Sequence, residues 1–131
     1  DFCLSRGLGD VYKRQALFPG ITVHVAEPAG SPVLSGGKPG KHKLVGTSPG
    51  FIPNILNENV YDEILKIKDE EAYEMTRRLA REEGILVGPS SGAACFAAVE
   101  TAKKLPPGKV VVCMTDDTGE RYLSSDLFQF D

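Results

Sequence analysis

The stretch ILVGPSSGAACFAAVETAKKLPPG, residues 85–108, limits what this chain can fold into more than any other. A short apolar run enters Gly88-Pro89-Ser90-Ser91-Gly92 and leaves as an alanine-rich segment closed by Pro106-Pro107. That order starts a helix. A serine hydroxyl at such a turn accepts one of the backbone N–H groups left free at a helix start. Ala93, Ala94, Ala97, Ala98 and Ala102 keep the helix thin and apolar nearly all round, so it is expected to be buried. Lys103 and Lys104 suit its last turn. A buried helix fed by a strand belongs to an α/β layer structure.

The flanking elements extend that expectation. ITVHVAEP (21–28) alternates apolar Ile21, Val23 and Val25 with Thr22, His24 and Ala26, a strand that stops at Pro28. Residues 29–53 are rich in glycine and proline and read as one long loop, of the kind that is usually functional. YDEILKIK (61–68) places Ile64, Leu65 and Ile67 in a second strand. Helical spacing then runs over 69–84. Asp69 is the expected cap, Ala72, Met75, Leu79 and Ala80 the inner face, Glu74–Arg78 an i,i+4 pair, and Gly84 the left-handed stop. A strand is expected over 85–88. KVVVCMT (109–115) reads as a strand covered on both faces, and 116–128 as a polar turn with a final short helix. Strand, helix, strand, helix, strand makes a parallel α/β layer that opens on a strand whose partners should lie upstream.

Bulk properties exclude several functions. The 131 residues are one domain's worth of chain, 41% hydrophobic and 25% charged, with a formal net charge of −3. A mildly acidic chain without a basic stripe gives no support for nucleic-acid binding. No apolar run nears the roughly 20 residues of a membrane span. The start lacks a signal peptide's apolar centre, so a cytoplasmic address is expected. Cys3, Cys95 and Cys113 have neither metal-ligand nor disulfide spacing, and the last two are expected as small buried hydrophobes. His24 is expected in a strand and His42 in a loop, with no ligand set and no metal site.

Taken physically, the GPSSG turn aims N–H groups and hydroxyls at one point, and either a helix cap or a ligand contact explains it. It is not G-x-S-x-G, and SGGKPG (35–40) lacks the Walker spacing. The segments VAEPAGSPVLSGGKPGKHKLVG, GFIPNILN, VYDEI, DEEAYEMTRRLAREEGILVGPSSGAA and DTGERYLSSDLF together resemble cysteine synthase, O-acetylserine sulfhydrylase. The likeness covers residues 20–128 in the family's order and corresponds to its carboxy-terminal portion. It implies the tryptophan-synthase β-like fold of pyridoxal 5′-phosphate enzymes, a homodimer, and L-cysteine made from O-acetylserine and sulfide. It also implies that the Ser90 hydroxyl hydrogen-bonds the cofactor's pyridine nitrogen, with Gly88 and Ser91 in the same turn. Gly46, Thr47, Gly50 and Phe51 would line the substrate mouth, where serine acetyltransferase would dock. Thr47-Ser48-Pro49 depart from the glycine-richer loop common in the family. PSSGAA, in place of the GSAGS-like turn of cystathionine β-synthase, favours the sulfhydrylase. That relative, an O-phosphoserine sulfhydrylase and a non-catalytic partner-binding module are the alternatives.

Three parts of the family's site have no counterpart here: the Schiff-base lysine, the asparagine loop and the GTGGT-like phosphate cradle. The chain is therefore expected to hold no catalytic residue and to be inactive alone. SRGLGDVYKRQ (5–15) has glycines and cations with nothing apolar behind them. One choice of codons for it reproduces a transposon adapter used in preparing sequencing libraries. Residues 1–15 are accordingly expected to be a non-native tail, and 16–131 the enzyme-derived portion.

Overall fold

The computed structural model describes residues 16–129, so the expected tail at 1–15 lies outside the described residues. Two strands, β1 (His24–Pro28) and β2 (Glu63–Ile67), pair in parallel, with Val25 opposite Ile64 and Pro28 opposite Ile67. Parallel strands need a crossover, and residues 29–62 supply it as loop and one short 3-10 turn (Glu58–Val60). The sheet is followed by α1 (Asp69–Glu82) and α2 (Pro89–Ala102), which lie against each other and, through α2, against both strands. Two 3-10 turns, Gly119–Tyr122 and Asp126–Phe128, stand where a final short helix was expected.

The core follows from side-chain size. Leu44, Ile67, Ala72, Ala93 and Ala97 are buried together, with Ala26, Leu65 and Phe96 packed on them. Fully burying a leucine or isoleucine is worth about 1.5–3 kcal/mol, so Leu44 and Ile67 anchor the loop and sheet to the helices. The alanines contribute closeness more than area. α1 presents Ala72 and Thr76, both 0% exposed, to Gly92 and Ala93 of α2. His24 Nδ1 lies 3.2 Å from Thr101 Oγ1 and ties the end of α2 to β1.

Local chemistry at α1 differs from expectation. Lys68, not Asp69, is the N-cap, because Glu71 reaches back to accept the Lys68 N–H (2.8 Å). Asp69 instead accepts the Lys43 N–H (2.8 Å). Arg78 forks onto Glu82 (2.9 and 3.0 Å) rather than pairing with Glu74. The regular helix ends at Glu82, and Gly84 takes the left-handed conformation expected of it (φ +69°).

The expected strands over 85–88 and 109–115 do not form ladders. Val87 makes a single antiparallel bridge to Thr118, and 109–115 is irregular. A strand is defined by its neighbour, and among the described residues 85–88 meets one only at Val87 while 109–115 joins no ladder. Val110 (85% exposed), Val112 (66%) and Met114 (51%) consequently face solvent on one side. For the same reason α2 is buried on one face only, with Val99 exposed, and Cys95 and Cys113 are half-buried. The two thiols lie together. Burial first, then the Cys113 thiol beside it, push the Cys95 thiol above its ordinary pKa.

An unpaired apolar edge of this kind promotes association. The chain is expected to self-associate at about 10–100 μM, and Val110→Lys/Val112→Lys to restore a monomer. Light scattering on a gel-filtration column checks this; a monomeric parent chain across that range contradicts it.

Candidate functional site

The turn that opens α2 is held from below by a distant segment. Beside the Val87–Thr118 bridge, the Gly119 N–H donates to the Leu86 carbonyl (3.2 Å). This lays 117–119 along 86–88 and brings Asp117 under the turn. Asp117 Oδ1 accepts the Gly88 N–H (3.2 Å) and the Ser91 hydroxyl. Ser91 is completely buried. Asp117 Oδ2 is buried too, with no hydrogen-bond partner among the described residues. A Cβ on Gly88 would lie 2.0 Å from Asp117 Oδ2 and 2.5 Å from the Tyr122 ring, so only glycine admits the carboxylate here.

This geometry separates the two serines. A serine cap on α2 was one reading of the turn. The N-cap is in fact Gly88, which has no side chain to make a cap bond, and the Ser91 hydroxyl, inside the first turn, donates to Asp117. Ser90, the second helical residue, is half-buried, and its hydroxyl makes no hydrogen bond among the described residues. One hydroxyl is structural and the other is free to meet something outside.

The mouth-loop residues form a second patch. Gly46 and Gly50 have left-handed φ (+87° and +83°), Thr47 Oγ1 donates to the Leu44 carbonyl (2.7 Å), and Phe51 is 60% exposed. Thr47 and Phe51 line a shallow cleft with Val33, Leu34 and Glu27. Glu27 is buried, its carboxylate accepting the Leu34 N–H (2.9 Å) and the Ser35 hydroxyl. Neither Ser90 nor Gly88 lines this cleft, so the structure does not join the two groups of residues.

The base of the loop is fastened electrostatically. Lys43 Nζ donates to Asp126 Oδ2 (2.5 Å) and Tyr73 Oη to Asp126 Oδ1 (3.3 Å). Arg77 donates to the Leu127 and Asp126 carbonyls (2.7 and 3.0 Å). Lys43 pulls Asp126 below the usual carboxylate range and is itself raised by Asp126. Both are exposed, so salt screens the pair.

Asp117 and Asp126 were not singled out from sequence. Asp117 does open the DTGERY motif, the only signal that marked it. Among the described residues no group of three His, Cys, Asp or Glu side chains is placed to hold a metal ion, and no helix is long and apolar enough to cross a membrane.

The family model described as "Pyridoxal-phosphate dependent enzyme" matches residues 4–116, a span that overlaps the 1–15 stretch. The chain belongs to this family. A probable cysteine synthase of Bacillus subtilis (strain 168) is 79% identical over 124 residues, covering 95% of this chain and 39% of the relative. The crystal structure of a cysteine synthase from Entamoeba histolytica superimposes with a TM-score of 0.87 at 39% identity, over 92% of this chain and 36% of that one. An O-acetylserine dependent cystathionine β-synthase from Helicobacter pylori gives 0.84 at 39% identity, over 92% and 39%. The chain spans about 40% of the length of the curated relatives it matches. The family and the α/β architecture with a parallel sheet agree with the sequence expectation.

Proposed function

We propose that this chain is the carboxy-terminal portion of a pyridoxal-phosphate-dependent cysteine synthase, in which Ser90 contacts the pyridine nitrogen of the cofactor. The observation that carries the reading is the free Ser90 hydroxyl beside the fully engaged Ser91. When bound, the cofactor supplies an electron sink for bond breaking at the substrate's α-carbon. Ser90 offers the ring nitrogen a neutral hydroxyl. Unlike a carboxylate, a hydroxyl would not hold a proton on that nitrogen, and Ser90 in that place would favour β-elimination and replacement over transamination. The residues present fit the ring's nitrogen end. Phosphate and lysine contacts belong to parts of the family site that have no counterpart here.

In the same reading Gly46, Thr47, Gly50 and Phe51, on their separate patch, line the entrance for O-acetylserine, with sulfide as the second substrate. The same loop is the docking surface for the tail of serine acetyltransferase, and the working enzyme is a cytoplasmic homodimer. The Helicobacter pylori relative supports a second reading, in which a thiol replaces sulfide as the nucleophile. Comparing sulfide with thiol acceptors separates the two.

The test uses a chimera in which residues 16–131 follow the upstream portion of the Bacillus subtilis relative. Ser90→Ala and Ser90→Asp should each move the cofactor's absorption maximum and lower turnover about 100-fold, as loss of one placed hydrogen-bonding group does. An unchanged spectrum and turnover in Ser90→Asp would refute the assignment.

A further inference from the structure

We infer that Asp117 is a positioning residue that fixes the backbone from which the Ser90 hydroxyl projects. The inference rests on the reading of Ser90 as the partner of the cofactor's ring nitrogen. Asp117 touches the turn on both sides of Ser90: Oδ1 receives the Gly88 N–H at 3.2 Å and the Ser91 hydroxyl. Between these two anchors lie only Pro89, buried and fixed in φ by its ring, and Ser90 itself. Hydrogen bonds to a carboxylate are roughly twice as strong as neutral ones, so the clamp is stiff. The backbone that carries Ser90 therefore has little freedom left, and its side chain has only its own rotamer to choose.

Two features mark this as more than an ordinary cap. A cap would be met by a serine hydroxyl from the turn itself, at no cost in burial. Here a carboxylate arrives from 29 residues away and leaves Oδ2 buried without a partner among the described residues, which costs free energy. The site also needs a glycine at 88, since a Cβ there would overlap Oδ2. The arrangement consumes the Ser91 hydroxyl and leaves the Ser90 hydroxyl open, and that selection gives the clamp its consequence for function.

The experiment compares variants of the chimera by cofactor absorption and turnover. Asp117→Ala should move the absorption maximum in the same direction as Ser90→Ala and lower turnover about tenfold. Asp117→Asn keeps an acceptor at the Oδ1 position and should hold the parent spectrum. The Ser90→Ala/Asp117→Ala double variant should be no worse than Ser90→Ala, because the two act through one hydroxyl. Without cofactor, the Gly88 amide of the 131-residue chain should exchange with solvent at least about tenfold faster in Asp117→Ala and not in Asp117→Asn.

A lower melting temperature with an unchanged spectrum in Asp117→Ala reduces Asp117 to a structural residue and overturns the inference, while the Ser90 reading stands. Effects that multiply in the double variant overturn it as well. An unchanged spectrum in Ser90→Ala removes the reading itself, and a shift in Asp117→Ala alone would then give Asp117 a direct role. If Asp117→Ala does not fold, Ser91→Ala decides. It releases one of the two anchors and should move the same band; an unmoved band overturns the inference.

Discussion

Gly92→Ala should lower the melting temperature of this chain by about 10 °C. A Cβ at position 92 would lie 2.0 Å from Thr76 Oγ1 and 2.4 Å from the Ala72 carbonyl oxygen. Thr76 is fully buried, and its hydroxyl already donates to that same carbonyl at 2.8 Å, so it has nowhere to turn. The second obstacle is backbone and cannot rotate away, so α1 and α2 must separate. Overpacking of this kind costs about 3 kcal/mol. Alanine's better helix propensity returns about 1 kcal/mol, which leaves a net loss near 2 kcal/mol. Adding Thr76→Ala should recover only part of it, since Ala72 O remains in the way. Thermal melts followed by circular dichroism check both points. A Gly92→Ala chain that melts at or above the parent temperature would mean that the helices are not in the contact described.

The 131-residue chain should form no cysteine from O-acetylserine and sulfide, whereas the chimera with the upstream portion of the Bacillus subtilis relative should turn over at an ordinary enzymatic rate, about 1–1,000 per second. None of the lysines among the described residues lies in the Ser90 turn. Lys43 is held by Asp126, and Lys103 by Glu100 at 2.5 Å. Removing an α-proton needs a base within hydrogen-bond reach of it. The turn at 88–91 presents only hydroxyls and N–H groups, and the Asp117 carboxylate lies beneath it with Oδ2 buried and Oδ1 held by Gly88 and Ser91. Cysteine formation measured on both proteins under one set of conditions checks the contrast.

How far the sequence could be read depended on the range of the forces involved. β1, β2, α1 and α2 were legible because alternation, helical spacing and the proline and glycine stops act within a few residues. The 85–88 and 109–115 runs have the composition of strands. Whether they become strands depends on a ladder partner, and sequence composition cannot carry that. The exposure of Val110 and the half-burial of Cys95 have the same origin. Side-chain pairing was harder still. Arg78 had acidic neighbours four residues away on either side and took Glu82, and Asp69 was drawn off to Lys43 by a loop 26 residues distant. At the candidate site the turn itself was legible, as was its choice of residues. That Asp117 engages the Ser91 hydroxyl and leaves that of Ser90 open was not legible, because no local pattern links position 117 to position 88.

The most direct test of the account is the cofactor spectrum of the chimera, recorded beside that of its Ser90→Ala variant. A bound-cofactor band in the first and a displaced band in the second is the result expected if Ser90 meets the ring nitrogen. Identical bands with equal turnover would contradict it, and would leave the Ser90 hydroxyl without the partner on which the functional reading depends.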